Sequence, residues 1–470
     1  LDIISRDTPK HLRKSTAVGA VLHSDLKPAR ALFLAFATLT LGTLTLAGCG
    51  NNYRPVVSSI NPVGPAGQPT KYAVAISSPS PTSPGLVTLV DFSGDTILNT
   101  TAIGANPQYL VLSSGGGTGY TLNGDGTANT FAISTGLLAS DVLQSTLLAG
   151  SKPVSLYPQG TYVYIAESGR NAVAQLQGNP PAIQQELPTG SGTIYTVGAN
   201  GSPRAYAIVQ GTPGSQGKVA AIETTSNTIS NIIPVGVNPV YGVMTADSAR
   251  AYILNKGSNS VTAINSQTNA PDLFTTPSGV ASTIPVGVAP VWADFAPTLS
   301  ELVVANAGDG TNPGSVSIIN IPRCPATTVS TNPTCDPANP LNALGYGQVL
   351  ATIPVGINPV MVGVMQDGTR AYVANAGNAA AGIAGSISVI NLTTNTVIAT
   401  IPAGTSSNPA DSIVHGHPAY IAVTTGTPTG KVYVTSLDST DITIIRTDTD
   451  VVQTHLSLQG NGVAVRITQP

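Results

Sequence analysis

The sequence predicts an all-β chain closed into a single β-propeller, and three observations carry that prediction. A phrase recurs almost unchanged at Ile233-Pro-Val-Gly-Val-Asn-Pro239, Ile284-Pro-Val-Gly-Val-Ala-Pro290 and Ile353-Pro-Val-Gly-Ile-Asn-Pro359, with a weaker echo at Ile401-Pro-Ala-Gly404. Between the phrases, apolar and polar residues alternate with the two-residue period of a strand, as in Ser315-Val316-Ser317-Ile318. The composition suits short strands and tight turns rather than long helices: 49 Gly and 37 Pro in 470 residues, 9% charged and 41% hydrophobic. Copies of one supersecondary unit must stack to bury a core, so the whole length fits one repeat array.

The fifth module shows the register. After Ile233-Pro-Val-Gly come Pro239-Val-Tyr-Gly-Val-Met244, a turn at Asp247-Ser-Ala249, Arg250-Ala-Tyr-Ile-Leu-Asn255, a turn at Lys256-Gly257, and Ser260-Val-Thr-Ala-Ile-Asn265. The module from Ile353 repeats the plan and adds a clear fourth strand, Thr396-Val-Ile-Ala-Thr-Ile401. Four short antiparallel strands per module is a propeller blade. Module starts fall near Thr101, Leu147, Leu187, Ile233, Ile284, Ile353 and Ile401. The segment Leu456–Arg466 reads as an opening strand with nothing after it, whereas Lys71–Ile76 and Leu86–Asp91 read as later strands with no opener. Joining the two ends in one composite blade closes the ring, giving eight blades by count, with seven as the alternative.

Tyr252-Ile-Leu-Asn255, Tyr372-Val-Ala-Asn375, Tyr433-Val-Thr-Ser436 and Tyr164-Ile-Ala-Glu167, with the Asp367-Gly368 turn, resemble the YVTN-family β-propeller repeat. The resemblance runs from about Lys71 to the end and implies architecture more than activity. Its Tyr is expected to pack between blades with a hydrogen-bonding tip, and its Asn to form a turn.

Residues 1–48 read as an N-terminal extension and signal peptide: Lys27 and Arg30 precede the apolar run Ala31–Leu46 and the sequence Leu46-Ala-Gly-Cys49. That ending resembles the bacterial lipoprotein signal, which implies cleavage before Cys49 and acylation of its thiol. Residues 49–70 read as a tether rich in Gly, Asn and Pro, and residues 71–470 as the propeller. Gly50, where Asp would retain such a protein in the inner membrane, favours the outer one. The expected location is the bacterial envelope, on its periplasmic or extracellular face, with the membrane a partner through the lipid and the chain a monomer. From Cys49 onward stand 13 of the 19 basic and 19 of the 22 acidic residues, a balance of −6 without a basic cluster, so nucleic acid is not an expected partner.

Loop expansions point to where a ligand sits. Ser78–Gly85, Gly211–Gly217, Gly308–Gly314, Gly377–Gly385 and the link Thr405–His417 all fall on the face that carries the connections between blades. Asp272–Ser282 and Ile321–Gly347 expand the other face. The first face is the expected binding face, with Asp309, Asn312, Asn378, His415 and His417 as candidate contacts. His415-Gly-His417 is the one compact pair of metal-ligand types; two imidazoles alone make an incomplete site, so they read as ordinary residues of a loop, and no metal or cofactor is expected. Gly124-Asp-Gly-Thr127 and Gly308-Asp-Gly-Thr311 offer one carboxylate each, too few for calcium, and read as turns. Cys324 and Cys335 are expected to pair as a disulfide in an exported protein.

No nucleophile elbow, zinc-protease motif or phosphate-binding glycine loop occurs in the sequence. The expected function is therefore a binding or scaffold lipoprotein for a protein, glycan or small ligand. The alternative is a lactonase-like propeller hydrolase with active groups around the central channel.

Overall fold

The computed structural model describes residues 71–134, 136–276, 279–324, 335, 342–424 and 430–468. The signal, the tether and Cys49 lie outside them. The described chain forms eight sheets of at least four strands, one per blade, antiparallel but for one two-residue strand added to blade 7. Blade 1 is the composite: Asn461–Ile467 is innermost, followed outward by Tyr72–Ser78, Pro84–Asp91 and Thr96–Ala105. The inner strands of blades 2 to 8 are Pro107–Leu112, Pro153–Gln159, Thr193–Gly198, Pro239–Met244, Pro290–Ala296, Pro359–Val364 and Pro418–Val423. The count is eight, not seven.

The recurring phrase does its work at the change of blade. In blade 4 the outer strand Thr228–Val237 contains Ile233-Pro-Val-Gly, and Pro239 opens the inner strand of blade 5. The residue before the opening proline takes a left-handed backbone in five of the six blades that open on one: Asn106, Lys152, Asn238, Ala289 and Asn358 have φ of 52°, 44°, 51°, 57° and 54°, and His417 before Pro418 is the exception. Asn accepts that conformation at low cost, and it turns the chain from the rim towards the channel. Proline follows where the strand begins and no ladder donor is needed.

The core lies between neighbouring blades. Tyr206, Ile208 and Val219 of blade 4 pack with Ala251, Ile253 and Ile264 of blade 5. The repeat tyrosine adds a latch: Tyr164 Oη donates to Asn227, Tyr206 to Asn269 and Tyr372 to Asp450 at 2.5, 3.0 and 2.6 Å, each reaching the outer turn of the next blade. These acceptors also have positive φ, which aims their side chains at the neighbour. Tyr433 and Lys431 of blade 8 close the ring on Asp95 of blade 1, with Lys431 Nζ 2.7 Å from the carboxylate.

At Asn255 the repeat asparagine opens a turn, with Ser258 N–H bonded to its carbonyl at 3.3 Å, and its side chain does more. Asn255 is fully buried, accepts the Gly236 N–H of the preceding blade at 3.0 Å, and donates to Ser260 and Thr262 at 3.2 and 2.9 Å. It is an inter-blade staple. The glycine of the phrase is required there, since a Cβ on Gly236 would lie 2.6 Å from Asn255 Cγ.

The two expansions on the other face meet. Arg250, fully buried, reaches Asp272 of the first with Nε and Asn342 of the second with Nη2 at 3.2 Å. Phe274 stacks on Tyr346 with ring centroids 5.6 Å apart, and Tyr252 bonds Tyr346 at 2.7 Å. Cys324 and Cys335 are disulfide-linked in the second expansion, with Cα atoms 5.6 Å apart.

Candidate functional site in the channel

The inner strands bring a run of aromatic rings to the axis. Tyr109, Tyr241, Trp292 and Tyr420 each stand two residues after the proline opening their strand, and Tyr195 takes the same place in blade 4. Neighbouring ring centroids are 6.4 Å apart for Tyr109–Tyr195, 4.9 Å for Tyr195–Tyr241, 4.1 Å for the stacked Tyr241–Trp292 pair and 6.3 Å for Trp292–Tyr420. Arg466, from the C-terminal strand, places its guanidinium 5.5 Å from the Tyr420 ring centre and 6.0 Å from that of Trp292. Burial pushes the Tyr109, Tyr195 and Tyr241 hydroxyls well above their usual range, so they remain neutral donors and acceptors.

Tyr109, Tyr195, Tyr241 and Trp292 floor a cavity of about 910 Å³ lined from seven blades, while Tyr420 faces a smaller cavity. Asp294 projects into it, accepting the N–H groups of Val364 and Phe295 at 2.9 Å each. Burial raises its carboxyl to about 6, held from rising further by those two bonds and by the charge of Arg466. Glu301 and the Arg323–Asp247 ion pair stand at the rim. The cavity thus offers flat apolar faces, the Arg466 cation and the tunable Asp294 carboxylate, with further charges at the rim, the furnishings of a small-ligand site.

The cavity is on the face opposite the one expected. Its turns are Thr245–Asp247 and Pro297–Ser300, between first and second strands, with Ile321 and Arg323 from the long expansion. A smaller cavity of about 450 Å³ lies towards the first face and shares Trp292 and Met361. His417 lines it, and with Asn378 also lines a depression of about 380 Å³. Asn378 donates to Gly310 O at 3.1 Å, and His417 Nδ1 pairs with Asp438 at 2.6 Å. Asp309 is spent on its own turn: it accepts from the backbone and side chain of both Thr311 and Asn312, which holds its carboxyl well below the usual range. Asp125 likewise serves its turn through Thr127.

His415 does not behave as a loop residue. Val414–His415 returns to blade 7 as a short parallel strand against Ala403 and Gly404, and the ring is buried, 3.7 Å from that of His455. The link therefore separates the two histidines of the sequence pair. Sequence reasoning missed His455, 40 residues away, and the channel aromatics; the Pro-x-aromatic spacing was the signal for the latter.

Fold and cavity together define the class as an eight-bladed β-propeller with an aromatic-floored channel. No protein-family model matches this sequence, and no curated protein sequence does. Among solved structures the chain is similar to dihydro-heme d1 dehydrogenase NirN in complex with DHE, at TM-score 0.59 and 11% identity over 85% of this chain and 76% of that one. It is also similar to apo AztD from Citrobacter koseri, at TM-score 0.55 and 13% identity over 84% and 97%. Likeness at these identities is a likeness of fold.

Proposed function

We propose that this protein is a binding lipoprotein of a bacterial envelope, related to the YVTN-type repeat proteins and anchored through Cys49, whose channel cavity holds a ring-shaped small ligand carrying an acidic group. One observation carries the reading: the aromatic run from Tyr109 to Tyr420 with Arg466 over its last two rings. Ring faces stack on planar aromatics and on the C–H faces of sugars, and a guanidinium pairs with carboxylate or phosphate. NirN, of the same fold, is itself a ligand-holding propeller protein by its complex with DHE. Binding is favoured over hydrolysis because no three His, Cys, Asp or Glu groups of the cavity come within ion-sharing reach. Among the described residues, the one set of three such groups close enough to share an ion lies elsewhere.

Trp292 is the single tryptophan of the chain and lies in the cavity floor, so its emission reports occupancy. The full chain in detergent should show saturable change in that emission with an aromatic carboxylate or an acidic oligosaccharide, weakened at least tenfold by Arg466→Gln. Absence of saturation across both ligand classes would count against the reading. Palmitate labelling lost in Cys49→Ser tests the anchor.

A further inference from the structure

Away from the channel, the junction of blades 7 and 8 brings together Asp411, His415 and His455. We infer that Asp411, His415 and His455 form a binding site for one divalent transition-metal ion of the zinc class. All three histidines among the described residues stand at this junction, and two of them turn inward together. His415 Nε2 and His455 Nε2 face the same oxygen, Asp411 Oδ1, at 3.1 and 3.3 Å. The three ligand atoms lie within 4.8 Å of one another. Donors held at about 2.0–2.2 Å from a shared ion stand roughly 3.0–3.5 Å apart in tetrahedral or octahedral geometry. The carboxylate is therefore already at coordination spacing from both imidazoles.

The surrounding shell fits the same reading. His415 Nδ1 meets the Asp441 carboxylate at 2.7 Å, a partner that would hold a proton there and leave the Nε2 lone pair for an ion. Ser457 Oγ donates to the other oxygen of Asp441 at 2.7 Å and fixes its orientation. His455 Nδ1 meets Thr443 Oγ1 at 3.2 Å, and Thr443 also accepts the His415 N–H at 3.2 Å. Each imidazole is thus oriented through its far nitrogen, as ligating histidines are. Both imidazoles are buried and the Asp411 side chain is 21% exposed, which leaves one open direction for arrival of the ion and for a water as the fourth ligand. The rings are stacked with 8° between planes, so seating the ion asks them to splay until the two lone pairs converge. Bound there, the ion would clasp the Thr405–His417 link to the outer strand Val451–Ser457. This site is independent of the channel cavity.

The test uses the full chain stripped with a chelator and dialysed against Zn²⁺ or Co²⁺. One equivalent should be retained with micromolar or tighter affinity, and Co²⁺ should give the visible absorption of a low-coordinate nitrogen and oxygen site. His455→Gln should weaken retention at least a hundredfold, Asp441→Asn about tenfold, and His417→Gln should leave it unchanged. Retention below one tenth of an equivalent in the wild type would overturn the inference and leave a hydrogen-bonded imidazole pair. So would retention indifferent to His455→Gln. The wild-type cobalt spectrum decides the matter even where a variant misfolds.

Discussion

Replacing Asn255 by alanine should cost roughly 2 kcal/mol more than the same change at Asn306, although both are fully buried at equivalent positions. Each side-chain amide donates to two hydroxyls: Ser260 and Thr262 at 3.2 and 2.9 Å for Asn255, Ser315 and Ser317 at 3.2 and 3.0 Å for Asn306. Losing those bonds, worth about 1 kcal/mol each net, and the same side-chain volume costs the two variants alike. The difference lies in the carbonyl oxygen. Asn255 Oδ1 accepts the Gly236 N–H at 3.0 Å, so its removal strands a part-buried donor at about 1–3 kcal/mol. Asn306 Oδ1 accepts no hydrogen bond among the described residues, and the corresponding Gly287 N–H goes to Ser317 Oγ at 3.2 Å. Denaturant midpoints of the two variants, with amide exchange followed at Gly236 and Gly287, measure this. Gly236 should lose protection in Asn255→Ala, while Gly287 keeps it in Asn306→Ala. Equal midpoints, or an undisturbed Gly236 amide, would show that the staple is not energetically distinct.

Three further outcomes follow from the geometry. Glu167 replaces the repeat asparagine in blade 3; burial and the Glu186 carboxylate raise its pKa to about 8. The folded state therefore keeps a proton that the unfolded chain releases near its ordinary value, so stability falls as pH rises from about 4.5 towards 8. Glu167→Gln should flatten that fall in denaturation midpoints measured between pH 5 and 9. Because Asp294 titrates near 6, an anionic channel ligand should bind more tightly as pH falls through that value, and Asp294→Asn should remove the dependence in Trp292 titrations. Lys431→Met leaves the buried Asp95 without its main cation, at a cost of about 3 kcal/mol. Exchange should then accelerate first in Tyr72–Ser78 and Asn461–Ile467, and uniform acceleration around the ring would contradict the seam.

The blade count and the composite closure were legible because they depend on local strand period and on a turn repeated in near-identical words. The tyrosine latch was legible for the same reason, since each copy meets the same kind of turn next door. The channel floor was harder to read. Its residues occupy one repeat position but differ in identity, with Ser155 and Met361 where other blades carry Tyr or Trp, so no motif joins them. The approach of His455 to His415 and the burial of Arg250 between two expansions depend on contacts between segments distant in the chain. Strand period carries no information about such meetings. The expansions counted in the sequence showed where chain length was spent, but not that those on the other face converge beside the channel cavity.

The composite blade also sets how the molecule bears tension. Tyr72–Ser78 is an inner member of its sheet, hydrogen-bonded on one side to Asn461–Ile467 and on the other to Pro84–Asp91. Force applied along that strand through the segment before Lys71 has to shear two ladders at once instead of peeling one edge strand. A chain held at its amino-terminal side and dragged by its surroundings would then yield elsewhere first, and the ring would stay shut under load.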